Sequence, residues 1–410
     1  MDAFNIFAAL LTLSALFAYV NHRFLGMPTT IGVMVIALAF SLALIVLSHA
    51  GLANPDWFAW FAEVEFAPTL LEGMLGFLLF AGALHVDLND LAEQRWVVSF
   101  LATVGVLFST LVIGVSSWLL LGALGLPLSL VHCLLFGALI SPTDPIAVLS
   151  ILKTAGVPPT LETKITGESL FNDGVGLVLF LVILGFAGGG HAPDAGDASL
   201  LFLQEVFGGI ALGLLLGALT YRMLASVDVY QVEVLLTLAL VTGGYALATS
   251  FHLSGPLAMV SAGLLIGNHG RRFAMSERTR VHLDTFWELV DEVLNAVLFV
   301  MIGMEVLVLT FTGRLLLAGV LVIPLVLLAR FAAVSLGVGI LGRVRTFSPH
   351  AVKIMTWGGL RGGISVALAL SLPPGPERQI IVPITYTVVA FSILVQGLTV
   401  GPLVRRLYPR

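Results

Sequence analysis

One short segment, KITGESLFNDGVGLVLF, places oxygen-bearing side chains at helical spacing. Ser169, Asn172, Asp173 and Gly176 occupy positions i, i+3, i+4 and i+7, so an α-helix presents all four on one face. A hydroxyl, an amide and a carboxylate are hard oxygen ligands, and together they carry a single negative charge. We therefore interpret this face as a site for a hard monovalent cation, whose radius the ligand types do not specify.

A second candidate segment is SPTDPIAVL, in which Pro142 and Pro145 bracket Asp144 within an apolar run. Proline lacks an N–H group and disfavours helical backbone in the preceding residue, so we expect the helix to break and to free carbonyl groups around 141–143. Irregular backbone at membrane depth is tolerated where it lines a cavity or is buried in protein. We expect the break to supply oxygens for a cation, and Asp144 to add charge or to hold the broken ends.

Three more charged residues, Glu168, Arg330 and Arg361, lie deep within apolar segments. Burying a charged side chain in hydrocarbon costs roughly 2.5–3.5 kcal/mol even on the mildest insertion scale, so each of them requires a partner or a function. Glu168 is rotated about 100° around the helix from Ser169 and must face something else. A buried arginine is the expected partner. The pattern leaves both arginines open for this role and favours Arg330.

Arg361 itself lies in a glycine-rich stretch, TWGGLRGGISVALALSLP, which predicts a second broken helix. Its positive charge would compensate the dipoles of the two half-helices or take part in pairing or gating. The two breaks lie seven apolar segments apart. Because an odd offset reverses the direction of crossing, we expect an inverted repeat, as in many transporters.

The composition defines the elements that must position these residues. Of the 410 residues, 58% are hydrophobic and only 10% are charged, which indicates an all-α polytopic membrane protein. The net charge of −5 is spread over loops, so we expect no nucleic-acid partner. A single cysteine excludes a disulfide framework and a thiolate metal site.

Thirteen apolar runs are long enough to be considered as transmembrane helices. They cover residues 3–21, 28–49, 69–86, 97–122, 129–152, 164–187, 200–221, 232–250, 255–269, 284–309, 315–341, 350–372 and 381–404. With the N-terminus outside, 15 of the 19 lysines and arginines fall in inner loops and the inner tail, and only Arg314 and Arg378 fall in outer loops. The positive-inside rule therefore predicts an outer N-terminus and a cytoplasmic C-terminus.

The segments GESLFND, SPTDP and GGLRGGISVALALSLP together resemble the signature segments of the monovalent cation:proton antiporter-1 family, the NhaP-type sodium/proton exchangers. The resemblance extends over nearly the whole chain. It implies one transport unit over 1–410 that exchanges Na⁺ or Li⁺, sometimes K⁺, for H⁺ as transported substrates, with no cofactor. It also implies two crossed broken helices, a homodimer and an elevator-like movement.

In domain terms, the resemblance implies a core that carries the ion and a separate dimerisation scaffold. We assign the core to 97–187 and 315–404, the scaffold to 1–86 and 232–309, and a linker helix to 200–221.

For individual residues, the resemblance implies that Asp173 carries the cation and the proton in turn. Asn172 matches the asparagine of an Asn-Asp pair that accompanies electroneutral exchange in this family. Ser169, Thr143 and Asp144 match the supporting ion site, and we expect Na⁺ at Asp173, Ser169 and Thr143.

The remaining intramembrane charges also match family positions. Glu168 matches a glutamate paired with a membrane-embedded arginine, and LLARFAA around Arg330 resembles the segment that bears it. Arg361 matches a second arginine, in the broken helix. Some family members carry a further site carboxylate in the third span, where this chain has only the more distant Glu72, so we expect no direct ligand there.

Three other functions deserve comparison. A sodium-coupled symporter of a small organic anion could use related broken helices and is the main alternative. An intramembrane hydrolase would need a base at depth beside Ser169, and no histidine occurs there. A potassium channel would need a filter such as TVGYG, which the chain lacks. We therefore expect a transporter rather than an enzyme, and its compact size leads us to expect a bacterial inner membrane.

Overall fold

The computed structural model describes residues 3–52, 61, 64–144, 152, 156–187, 195–271, 274–343 and 345–408, without the side chains of 3, 195 and 197–199. Helices account for all the regular secondary structure in these ranges, and no strand occurs in them. The all-α prediction is confirmed.

The principal helices follow one another with short connections. They are α1 (Ala3–Val20, continued by Asn21–Leu25), α2 (Thr29–His49), α3 (Phe66–Leu84), α4 (Leu88–Ala123), α5 (Leu130–Ile140), α6 (Pro159–Ala187), α7 (Ala195–Leu224), α8 (Tyr230–Ser250), α9 (Gly255–Leu265, continued by Ile266–Gly270), α10 (Glu277–Met304), α11 (Gly313–Leu341), α12 (Ala351–Trp357), α13 (Gly363–Leu370) and α14 (Pro376–Leu407).

Helical backbone is present in the described part of each of the thirteen predicted spans. By length and apolar composition, nine helical stretches of the described chain could each cross a membrane. The chain is therefore a multi-pass membrane protein, and the count of thirteen spans stays a prediction.

Several helices begin earlier than their apolar runs. α4 begins at Leu88 rather than at 97, because Asp87 precedes it and its carboxylate accepts a hydrogen bond of 2.7 Å from the Asn89 N–H. α10 begins at Glu277 rather than at 284, behind Ser276, whose hydroxyl accepts from the Thr279 N–H at 3.3 Å. A capping side chain satisfies free N–H groups at the helix start, so the helix continues beyond the hydrocarbon.

Both predicted breaks begin where proline or glycine interrupts the helix. α5 ends at Ile140, and the chain is irregular from Ser141 to Asp144; Pro145 and the adjoining part of the predicted 129–152 span lie outside the described residues. The second break separates α12 from α13 at 358–362. The two breaks meet directly, since the Asp144 N–H donates to the Leu360 carbonyl at 2.8 Å.

Packing separates the helices into two groups, apart from a few contacts between them. α4, α5, α6, α11 and α14 pack chiefly with one another, as do α2 with α10, α3 with α9, and α8 with α9. α7 lies against α9, where Gly213 allows its backbone to approach Ala258 closely. The division into a core and a scaffold, and the roles of both in movement and dimerisation, stay predictions.

Candidate ion-binding site

Three buried polar side chains form a connected oxygen cluster between the first break and α6. The Asn172 Oδ1 accepts from the Thr143 N–H at 3.2 Å, and its Nδ2 donates to Thr143 Oγ1 at 2.9 Å. Thr143 Oγ1 and Ser169 Oγ are 2.9 Å apart. The three residues are at most 2% exposed. The amide therefore holds the irregular backbone against α6 and fixes the position of both hydroxyls.

Asp173 follows Asn172 on the same face of α6 and is 6% exposed. Within the described residues, no hydrogen bond reaches its carboxylate, which lines a cavity. One turn further along α6, Gly176 brings the helix so close to the Pro142 ring that a Cβ would overlap it. The missing side chain thus lets the broken segment lie directly on the helix that carries Asp173.

Asp144 lies beside the second break. Its carboxylate occupies the space that a Cβ on Gly362 would fill, and the residue lines the same cavity as Asp173. The charges of Asp144 and Asp173 are close enough to repel each other, and that of Arg361 attracts Asp173. A cation between the two carboxylates would relieve the repulsion.

Arg361 contributes a feature that the sequence pattern did not reveal. Its Nη1 donates to the Ser141 carbonyl and, at 2.7 Å, to the Pro142 carbonyl, and its backbone N–H donates to Ser392 Oγ at 2.8 Å. The freed carbonyls of Ser141 and Pro142 therefore bind an arginine from the opposite break. The guanidinium group thus supplies the donor that the broken helix lacks, and the expectation that the break provides oxygens for a cation stays a prediction.

Glu168 faces away from the oxygen cluster and pairs with Arg330. Both carboxylate oxygens take part, one with Nη1 and the other with Nη2 at 2.9 Å. The guanidinium also donates to the Met355 carbonyl through Nε at 3.3 Å and Nη2 at 3.1 Å. Glu168 is 1% exposed and Arg330 6%. Of the two arginines that the sequence left open, the structure thus places Arg330 against Glu168, and the pair joins α6 and α11 to α12.

The cavity in front of the site has a volume of about 570 Å³. Eight carboxylates line it: Asp87, Asp90, Asp144, Glu162, Asp173, Glu288, Asp291 and Glu292. No lysine or arginine of the described chain belongs to this lining, which includes one histidine, His85. The cavity therefore concentrates negative potential along an aqueous approach to Asp173.

Sequence reasoning missed two residues that support the breaks. Gln396 donates a hydrogen bond of 2.9 Å to the Trp357 carbonyl at the end of α12. The Ser392 hydroxyl accepts a hydrogen bond from the Arg361 N–H. Neither residue stands out by spacing, because single polar residues in α14 resemble ordinary interhelical contacts. Glu72 is exposed and is not among the residues that line the cavity.

The chain is similar to known proteins over nearly its whole length. Residues 11–406 match the family model described as sodium/hydrogen exchanger, transmembrane. The chain is 50% identical to the Na(+)/H(+) antiporter NhaP of Pseudomonas aeruginosa, over 98% of this chain and 97% of that protein. It is 38% identical to the Na(+)/H(+) antiporter NhaH of Halobacillus dabanensis, over 83% of this chain and 84% of that protein.

Among solved structures, the sodium proton antiporter MjNhaP1 from Methanocaldococcus jannaschii at pH 8 shares the fold. The TM-score is 0.78 at 21% identity, covering 100% of this chain and 99% of that chain. With a family model that matches nearly the full length, these similarities lead to one conclusion: the chain belongs to the sodium/hydrogen exchanger family of membrane transporters.

Proposed function

We propose that this protein is a secondary active antiporter that exchanges Na⁺ for H⁺ across a bacterial inner membrane. Li⁺ and K⁺ are further candidate substrates, and the ions are cargo rather than cofactors. The names of the two antiporter relatives support this assignment. They give no support to a sodium-coupled symporter.

The observation that carries the proposal is the placement of Asp173. The buried carboxylate of Asp173 lies beside the Thr143–Ser169–Asn172 cluster and faces an acidic cavity. Carboxylate and hydroxyl oxygens suit Na⁺, and the same carboxylate binds a proton when the cation is absent. Na⁺ and H⁺ therefore compete for one group.

This competition produces exchange. Asp173 moving without Na⁺ or H⁺ would carry a bare charge through a low-dielectric region, which is costly. It therefore crosses only when loaded, with Na⁺ in one direction and H⁺ in the other. Asn172 contributes hydrogen bonds but no titratable charge, so one charge moves each way and the exchange is electroneutral.

The other charged residues stabilise the group of helices that carries Asp173. Arg361 holds the first break against the second, and the Glu168–Arg330 pair joins α6, α11 and α12. Asp144 adds a second negative charge near the cation. We assign these roles to the core, 97–187 with 315–404, which moves against the scaffold of a homodimer.

The charge bias of the loops supports an outer N-terminus and a cytoplasmic C-terminus. In this orientation the cavity opens on the cytoplasmic side, because Asp87, Asp90 and Glu162 of its lining lie at inner helix ends. The conformation is then inward-facing.

Proteoliposomes with an imposed ΔpH provide the test. Addition of Na⁺ or Li⁺ to the wild type should collapse ΔpH, with or without valinomycin and K⁺ to clamp the voltage. In a separate series without valinomycin, K⁺ is tested as a substrate. Asp173→Asn should abolish the response, whereas Glu93→Gln, which removes an exposed carboxylate on α4, should leave it intact. An inactive wild type, or an active Asp173→Asn variant, would overturn the proposal.

A further inference from the structure

A second cavity, much smaller than the acidic one, lies where α11, α14 and the second break meet. Its volume is about 10 Å³. Three polar side chains, those of Arg330, Arg361 and Gln396, belong to its lining, and each of these residues is at most 6% exposed. A space of this size accommodates one water molecule, and polar groups around it favour water, because dry cavities are apolar.

Arg361 brings unused hydrogen-bond donors to this small cavity. Its Nη1 donates to the carbonyls of Ser141 and Pro142, whereas its Nε and Nη2 donate to no acceptor within the described chain. The residue is 2% exposed, and it lines the small cavity but is not among the residues that line the acidic one. A buried N–H group without an acceptor is costly, so a ligand that accepts a hydrogen bond here stabilises the folded state.

Arg330, the other arginine of the lining, needs no further acceptor. Its Nε, Nη1 and Nη2 all donate, either to the carboxylate of Glu168 or to the carbonyl of Met355. Its positive charge is balanced by the same carboxylate. The demand for a ligand therefore comes from Arg361.

Gln396 brings an acceptor to the same cavity. Its Nε2 donates to the Trp357 carbonyl at 2.9 Å, which fixes the end of the amide that carries the oxygen. The Oε1 atom accepts no hydrogen bond within the described residues. Gly359 of the second break also lines the cavity, and no hydrogen bond reaches its backbone carbonyl in the described chain. Donors and acceptors without partners thus border one small cavity.

We propose that this cavity is a binding site for one ordered water molecule, which accepts a hydrogen bond from the Arg361 guanidinium and donates one to Gln396 Oε1. The Gly359 carbonyl is the acceptor for its second hydrogen. Water suits both kinds of group, whereas an anion would be attracted by the guanidinium but repelled by the amide oxygen. In this way α14 holds the second break at Trp357 directly and at Arg361 through water.

A cavity-filling variant tests whether the water is part of the structure. Val388 of α14 lines the cavity and is 2% exposed. Val388→Ile displaces the water and leaves its protein partners unpaired, so the unfolding temperature in detergent should fall by about 2–4 °C. Val395→Ile, at a 41% exposed position of α14 outside the lining, should leave the unfolding temperature unchanged. A rise in Val388→Ile would overturn the proposal, because filling a dry cavity improves packing.

A second background separates displacement of water from simple overpacking. In Gln396→Met the water has lost an acceptor and its site is weakened, so Val388→Ile should lower the unfolding temperature much less there than in the wild type. An equal fall in both backgrounds would mean that the added methylene only strains the packing, which would also overturn the proposal.

Crystallography of the wild type identifies the ligand directly. At a resolution that shows other buried waters, a density peak should lie within hydrogen-bonding distance of both the Arg361 guanidinium and Gln396 Oε1. If no peak occurs there, the site does not exist. Anomalous signal at this position after a bromide soak would show an anion in place of water, and the proposal would be wrong.

Discussion

The guanidinium Nη1 of Arg361 lies 2.7 Å from the carbonyl oxygen of Pro142, so one broken helix supplies the hydrogen-bond donor that the other has lost. The same atom also donates a hydrogen bond to the Ser141 carbonyl. Proline creates the free carbonyls, and Gly359 and Gly362 allow the second break to lie close to Thr143 and Asp144. The two breaks therefore stabilise each other.

Replacing Arg361 should destabilise this crossing. Arg361→Ala leaves two buried carbonyls without donors, and at about 1–3 kcal/mol for each group the unfolding free energy should fall by several kcal/mol. Thermal unfolding in detergent measures the change, with Arg314→Ala, an exposed arginine at the start of α11, as the control. Equal stability of the two variants would contradict the role given to Arg361.

The Glu168–Arg330 pair predicts a non-additive result. Glu168→Leu or Arg330→Met alone leaves an unpaired buried charge and should lower stability by about 3–5 kcal/mol. The double variant Glu168→Leu/Arg330→Met leaves no such charge and should recover most of the loss. Recovery stays incomplete because the Met355 carbonyl still loses its donors. A double-mutant cycle of unfolding temperatures tests this coupling, and additive losses would refute it.

Asn172 should affect cation affinity more than turnover. Asn172→Ala removes both contacts that hold Thr143 against α6, and a loss of two hydrogen bonds corresponds to about 1–3 kcal/mol. We expect the KM for Na⁺ to rise about tenfold, which corresponds to 1.4 kcal/mol. Ser169→Ala removes one hydroxyl contact and should show a smaller increase. A KM equal to that of the wild type in Asn172→Ala would contradict the assignment.

Two glycines of α6 provide a matched pair. A Cβ at Gly176 overlaps the Pro142 ring, whereas a Cβ at Gly185 meets nothing within 4 Å. Gly176→Ala should therefore push the first break away from α6, at a cost of about 1–3 kcal/mol, and reduce exchange. Gly185→Ala should preserve exchange and leave stability equal or slightly higher. Unfolding temperature and exchange rate, measured on both variants, test the close approach; equal behaviour would argue against it.

Much of the architecture follows from local sequence. Apolar runs, prolines and glycines predicted where the helices and the two breaks lie. Such predictions need only local sequence, because hydrophobicity and backbone restriction act within one segment. The i, i+3, i+4 spacing of Ser169, Asn172 and Asp173 identified the ligand face of α6 for the same reason. Helix starts were less predictable, since capping by Asp87 and Ser276 extends α4 and α10 beyond their apolar runs.

The partners across the molecule were decided only by tertiary structure. Glu168 and Arg330 are 162 residues apart, and Ser141 and Arg361 are 220 apart. Periodicity shows which residues share a helix face but not what that face meets, so the choice between two arginines stayed open and the contact of Arg361 with the carbonyls of the first break was not predicted. The acidic cavity in front of Asp173 likewise depends on tertiary packing, because its lining comes from helices that are far apart in the chain and meet only in the assembled bundle.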